Sequence, residues 1–409
     1  MPELIEATYA FTLPAEADVR AIVRRFAVGQ TTGTWVEVPG LTPELREGHE
    51  GRVLRLFSVP AADTTTSRPD GPVGYLATIG IPADNVGDSI PMLLNTVIGN
   101  DASTSMEAKL VGLEFPDSLL GQFGGPRHGV EGLRALTGVK DRPLLLNMLK
   151  PCVGLSPSAA AQIFEDTARG GVDLIKDDEL MGNTGYSTVL QRVEAFRAAA
   201  ERAAQETGKR TIYLPNVTDR PDRMLATARS AVGAGAEALM VAYTTVGYGG
   251  MQMLADELGV PILGHFAGAA PFFESAGSGM GGDLACGLLP RLAGADLALV
   301  NTPFGGYPIT EHSYQQTAQR LTEPLAEVRA TMPIVGGGVH PGTVTRYVRD
   351  LGNDIVLGVG GAIQGHPMGP AAGATAMFQA MEATRAGVPL AEAPGEELRA
   401  AIARWGVLD

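Results

Sequence analysis

From position 142 onward the chain alternates short apolar runs with longer segments whose apolar residues recur at helical spacing. Eight such runs follow one another: PLLLNML, VDLIK, TIYLPNV, EALMVAY, VPILGHF, LALVNTP, PIVGGGV and IVLGVGG. Each is nearly continuous in apolar residues, the pattern of a strand buried on both faces. Helix-start signals open some of the intervening segments; at Ser156-Pro157, for example, a hydroxyl N-cap precedes a proline at the first helical position. Strand and helix alternating eight times predict an α/β fold, a closed (β/α)8 TIM barrel. An open doubly wound sheet would carry a glycine fingerprint after its first strand, where this chain has Lys150-Pro151.

The first 120 or so residues have a different rhythm. Alternation and turn residues predict strand 5–13, helix 17–26, strand 52–59, strand 73–81, helix 90–97 and strand 107–113. That βαββαβ order is the ferredoxin-like α+β sandwich. The glycine-rich stretch GQFGGPRHG at 121–129 reads as a linker, dividing the chain into residues 1–125 and 126–409. One GxGxxG match, Gly277, Gly279 and Gly282, lies well past the fifth barrel strand, so a flexible active-site loop is expected there instead of a dinucleotide site.

Composition narrows the possibilities. With 45% hydrophobic and 19% charged residues the chain is an ordinary globular protein, and 53 glycines suit an α/β enzyme with many tight turns. A formal charge of -14 argues against nucleic-acid or anionic-membrane partners, because the long-range field repels phosphates. An anionic ligand must then be held by local dipoles or a metal. Cys152 and Cys286 are too few and too far apart for a disulfide framework or zinc site, which points to a reducing cytoplasm. The opening MPELIEATYA does not read as a signal peptide, and no apolar window is long enough to span a membrane.

In a barrel of this kind the chemistry lies at the carboxyl ends of the strands. The polar residues there form a short list: Lys150, then Lys176, Asp178 and Glu179, then Asn216, His265, Asn301 and His340. Any one of them could simply satisfy backbone groups; a ring converging on one mouth favours function. Asp178 and Glu179 are adjacent hard oxygen ligands suited to Mg2+. Lys176, two positions before Asp178 and on the same side of an extended chain, would repel a metal as an ammonium, so it is either an ion-pair partner or chemically altered. Asp177 should point the other way and serve the structure. The glycine runs Gly336-Gly337-Gly338 and Gly360-Gly361, after the seventh and eighth strands, expose backbone amides that can cradle a phosphate.

These residues, with TTGTW at 31–35, VIGN at 97–100, KPCVGLSP at 150–157, GGVDLIKDDE at 170–179, RLAGAD at 291–296 and GGAIQGHPMG at 360–369, resemble the RuBisCO large-subunit superfamily, in particular its non-carboxylating RuBisCO-like branch, form IV. The resemblance implies that Lys176 takes up CO2 to become a carbamate, which binds Mg2+ beside Asp178 and Glu179. That would turn the repelling cation into an anionic ligand. It further implies that Lys150 transfers protons near the substrate with His265 close by, and that Asn100 reaches the metal-bound substrate. Thr34 and Trp35, with Gly337, Gly338, Gly360 and Gly361, would bind one phosphate. In the family the amino-terminal domain completes the neighbouring subunit's site, so a homodimer with shared active sites, alone or in multiples, is expected.

The departures from carboxylating members are as informative. Gly306 falls where they have the mobile-loop lysine, Phe266 where they have an arginine for a second phosphate, and Leu299 where they have a histidine. Cys152, Gly29 and Gly336 replace a lysine, a glutamate and a serine. Net CO2 fixation is therefore not expected, while a metal, a base and one phosphate site remain. Phe266, Phe304 and Tyr307 predict a less charged pocket away from the phosphate, with Asn301 and His340 also in its wall. The expected chemistry is that of a Mg2+-dependent lyase or isomerase acting through an enediolate of a monophosphorylated sugar or sugar-acid derivative. NTPFGGYP and KPCVGLSP favour decarboxylation or transcarboxylation/isomerisation of 3-oxo-isoapionate 4-phosphate. The alternatives are an enolase or isomerase of methylthioribulose-type phosphates in methionine salvage and, in a different class, a non-catalytic barrel binding a phosphometabolite.

Overall fold

The computed structural model describes residues 2–59 and 71–408. They divide into two compact units: the chain up to Gly124 with Ala269–Ala285 and Leu325–Val328, and a second made of Gly125–Gly268, Cys286–Pro324 and Arg329 onward.

The amino-terminal unit is built on a four-stranded antiparallel sheet. Its strands are β1 (Leu4–Leu13), β2 (Arg52–Val59), β3 (Val73–Pro82) and β4 (Lys109–Glu114), in the order β2-β3-β1-β4. This is the ferredoxin-like order. Strict alternation in β1 buries Ile5, Ala7, Tyr9 and Phe11 on one face. The helix Val19–Gly29, capped by Asp18, covers that face with Val23, Phe26 and Ala27. Tyr9 and Phe26 meet edge to face at 4.9 Å, and the Tyr9 hydroxyl donates to the Val97 carbonyl at 2.7 Å, tying in the helix Ile90–Val97. A short helix, Pro43–His49, lies in a stretch without helical periodicity long enough to be read from sequence.

Gly277, Gly279 and Gly282 belong to this unit. Leu110 of β4 donates to the Gly279 carbonyl at 2.9 Å, Gly281 donates back to Leu110 at 2.8 Å, and Met280 between them is fully buried. A flexible active-site loop is therefore the wrong description: the segment is pinned as an extra rung beside β4.

The second unit is the barrel. All eight apolar runs are strands: β5 (Leu144–Met148), β6 (Leu174–Lys176), β7 (Ile212–Leu214), β8 (Leu239–Ala242), β9 (Ile262–His265), β10 (Leu297–Asn301), β11 (Met332–Gly336) and β12 (Val356–Val359). They pair in parallel in the order β7-β6-β5-β12-β11-β10-β9-β8. A parallel bridge between Asn216 and Met240 joins the ends of that row, so the sheet closes on itself. Leu146, Leu174, Leu214, Met240, Leu263, Leu297, Met332, Ile334 and Val356 fill the interior. Truncating one of them to alanine would cost about 2–5 kcal/mol. Ser156 caps the helix Pro157–Arg169 as expected, accepting from the Ala159 amide at 3.3 Å.

Candidate active site

The barrel's interior layers place the charged group. Leu174 points into the core, and Lys176, two residues on, occupies the same face one layer higher, in register with Met148 and Leu214. Asp178 continues that face into the mouth. Asp177 turns outward and is used up there: its carboxylate accepts from Arg192 at 3.0 and 3.2 Å, the Tyr213 hydroxyl at 2.8 Å and the Asn216 amide at 2.9 Å. Asn216 in turn donates to the Glu179 carbonyl at 3.3 Å, holding the backbone that carries the two mouth carboxylates.

A cavity of about 500 Å3 opens at this end of the barrel. It brings together Lys150, Lys176, Asp178, Glu179, His265 and Phe266. Asn301, His340, Gly337, Gly338, Gly360 and Gly361 line it too. Phe304 does not line it. That ring packs with Tyr314 and Tyr347, at 6.1 and 5.9 Å, under the Arg346 guanidinium, because the one-turn helix Pro303–Gly305 carries it toward the helical layer. Tyr307 and Trp405 line the cavity. Neither position was expected: the sequence reading assigned Tyr307 to the end away from the phosphate glycines, and no sequence signal connects the carboxyl-terminal helix Glu396–Trp405 with the mouth.

The charges are paired with one another. Lys150 Nζ lies 2.6 Å from Asp178 Oδ2 and 3.0 Å from Cys152 Sγ. Partial burial works against its ammonium, but those hydrogen bonds outweigh burial and hold its pKa above the ordinary lysine value. Lys176 is 1% exposed, donates to the Asp177 carbonyl at 2.9 Å and lies 4.0 Å from Glu179. Burial depresses its pKa, only partly offset by Glu179 and Asp178. His265 Nδ1 accepts from the Ala267 amide at 3.0 Å, which leaves the proton on Nε2, 3.3 Å from Glu179 Oε2. The hydrogen bond from His265 holds the Glu179 carboxyl well below the usual range, and burial keeps the imidazole pKa low.

Three candidate residues belong to the amino-terminal unit. Trp35 is 57% exposed with the Arg25 guanidinium 5.8 Å from its ring centre. Thr34 makes a local turn, its hydroxyl accepting from the Val36 amide at 3.3 Å. Asn100 precedes the helical turn Asp101–Ser105. The room beside Gly29 is taken by the Asp101 carboxylate, so a side chain at position 29 would collide with it.

Among the described residues no three His, Cys, Asp or Glu side chains are grouped to hold a metal, so a centre at the mouth would need Lys176 as its third ligand beside Asp178 and Glu179. Two carboxylates project into an open cavity beside a buried lysine whose amine is biased toward neutrality, and each carboxylate is already met by a nitrogen cation or donor where positive charge is called for.

Fold and site together define a barrel protein with a carboxylate–lysine centre at its carboxyl-terminal mouth. A family model described as the ribulose bisphosphate carboxylase large chain, catalytic domain, matches residues 129–405. A ribulose bisphosphate carboxylase-like protein of Archaeoglobus fulgidus is 38% identical over 94% of this chain and 88% of its own. A 2,3-diketo-5-methylthiopentyl-1-phosphate enolase of Geobacillus kaustophilus is 34% identical over 99% of this chain and 98% of its own. Among solved structures, a rubisco-like protein (MtnW) from Alicyclobacillus acidocaldarius superposes with a TM-score of 0.91 at 36% identity, covering 99% of this chain and all of that one. The chain belongs to the RuBisCO large-chain family, among its non-carboxylating RuBisCO-like members.

Proposed function

We propose that the protein is an enzyme that enolises a phosphorylated ketone, and that its substrate is a diketone monophosphate of the 2,3-diketo-5-methylthiopentyl 1-phosphate type. The observation that carries this reading is the cavity itself: a paired lysine–carboxylate centre and two glycine runs line the same cavity, and no arginine lines it among the described residues. One phosphate can be held by backbone amides at the glycines, while Phe266, Ala267 and Leu299 give the rest of the cavity an apolar share and no arginine is there for a second anionic end. An uncharged, apolar tail suits those side chains. The similarity to named enolases therefore reverses the order of the two substrate classes expected from sequence. The sugar-acid reading keeps one specific support, the KPCVGLSP segment with Lys150.

Lys176 would carry CO2 as a carbamate, and with Asp178 and Glu179 it would hold Mg2+. When bound, the ion supplies positive charge that stabilises the developing enediolate oxygen. Lys176 suits its part because burial favours the neutral amine that can add to CO2 with loss of one proton. Lys150 is the proposed base. As it stands it is held as a cation by Asp178, so it can accept a proton only once that carboxylate is engaged elsewhere. His265 donates from Nε2 and keeps Glu179 ionised and oriented. Thr34, Trp35 and Asn100 are assigned, by family resemblance, to completing a neighbouring subunit's site in a homodimer.

Solvent deuterium incorporation tests this reading. With Mg2+ and bicarbonate present, exchange next to the carbonyl of 2,3-diketo-5-methylthiopentyl 1-phosphate is expected to exceed that into 3-oxo-isoapionate 4-phosphate. Release of CO2 from the latter without exchange into the former would reverse the assignment. No turnover of any phosphorylated ketone would favour a binding protein.

A further inference from the structure

The loop after β10 carries a side chain that the proposed mechanism leaves unused. Tyr307 is the one hydroxyl-bearing residue among the described residues lining the cavity. It is 47% exposed, and its hydroxyl has no hydrogen-bond partner among the described residues. The ring sits against the glycine turn after β11: a Cβ placed on Gly337 would meet Tyr307 Cε2 at 2.5 Å and Cδ2 at 2.9 Å. Two residues earlier in the same loop, Gly305 packs on Gly338, whose own Cβ would strike it. Gly306 between them has φ +86°, a left-handed conformation that lets the chain double back so that residues 305 and 307 both cover the turn. Gly337 and Gly338 are likewise left-handed, at φ +88° and +77°, so glycine at each serves both the backbone and the close approach of this loop.

Asn301, His340 and Trp405 also line the cavity with N–H donors, but the side chain packed nearest the Cβ position of Gly337 is that of Tyr307, and the two lysines are committed. Lys150 is bound to Asp178 and Cys152, and Lys176 is buried behind Glu179. A phosphate at the glycine turn would thus find backbone amides and, directly over Gly337, a phenol with a free O–H. We propose that Tyr307 is a substrate-binding residue of the phosphate end: its hydroxyl donates to the phosphate, and its ring covers that end against water. The proposal rests on the reading of Gly337 and Gly338 as a phosphate cradle.

The test is titration calorimetry of inorganic phosphate into the full-length protein, wild type and Tyr307→Phe. Losing a hydrogen bond to a charged acceptor should weaken phosphate binding roughly tenfold or more, with the unfolding midpoint unchanged because the ring remains. In turnover of a phosphorylated ketone the same variant should raise KM and leave kcat nearly alone. Gly337→Ala, which disturbs both the ring and the left-handed backbone of the cradle, is expected to weaken phosphate binding at least as much. If wild type binds phosphate and Tyr307→Phe binds it equally well, the role given to Tyr307 is wrong and the cradle stands. If wild type binds no phosphate, the cradle reading falls and the Tyr307 proposal with it.

Discussion

The two ends of the barrel both bury charge, and they treat it differently. At the amino ends of the strands Asp296 and Arg291 are matched by fixed backbone, and Asp173 by a backbone amide together with one side-chain partner. Asp296 accepts from the His128 and Gly129 amides at 2.7 Å and from the Ile262 amide at 2.9 Å. Arg291 donates to the carbonyls of Arg329, Arg320 and Glu323 at 2.8–3.1 Å. Asp173 takes both arms of Arg142, at 2.7 and 2.9 Å, and the Leu145 amide at 2.8 Å. At the carboxyl ends Lys150, Asp178, Glu179 and His265 are matched by one another's side chains, beside an open cavity. Backbone partners cannot be exchanged without unfolding, whereas side-chain partners can be given up to a ligand. Residue type alone does not separate a structural charge from a functional one; whether it borders the open cavity does, as Lys150, Lys176, Asp178, Glu179 and His265 do and Asp173, Asp177, Arg291 and Asp296 do not.

The largest effect should come from the mouth. Lys176→Ala is expected to lower enolisation at least about a hundredfold, with thermal stability equal to or above wild type because a buried, poorly solvated amine is removed. Deuterium exchange together with a thermal melt measures both; loss of fold in this variant would place Lys176 with the structural charges. Asp173→Asn should do the reverse. Weakening the pair between this buried carboxylate and a partly exposed Arg142 is expected to destabilise the protein by about 1–3 kcal/mol, read from denaturant unfolding, with kcat per folded molecule unchanged. A selective loss of kcat would erase the distinction between the two ends.

The smallest effect concerns His340, a mouth residue held partly by backbone, its Nδ1 accepting from the Gly342 amide at 3.2 Å and its ring stacked 6.4 Å from Trp405. Burial keeps its pKa below the ordinary 6.5. As pH falls, the unfolded chain therefore takes up this proton first. The stability His340 contributes is complete above the unfolded pKa and is lost as pH drops through the folded one. Between about pH 7 and pH 5 the denaturant midpoint should decline, and His340→Phe should make that decline shallower. An unchanged slope would show that the ring is not held neutral by its surroundings.

Much of the fold and part of the site were legible in the sequence for a local reason. Period-two alternation assigned Lys176 and Asp178 to one side and Asp177 to the other, and the Asp177 contacts with Arg192 and Tyr213 follow that assignment. Eight apolar runs marked eight strands, because a strand buried on both faces must be apolar throughout. Loops carry no such period. The displacement of Phe304 from the cavity, the packing of Tyr307 on Gly337, the arrival of Trp405 from the carboxyl-terminal helix and the pinning of Gly279 beside β4 all join residues without a shared pattern.

The sequence by itself determined the barrel, the ferredoxin-like sheet and the identity of the charged residues at the mouth, since each is written in spacing along a few consecutive residues. Tertiary structure alone decided which partners those charges have, how the Asn216–Met240 bridge closes the ring of strands, and which aromatic side chain stands over the glycine turn. Those outcomes depend on where distant segments pack, and packing is a property of the whole fold.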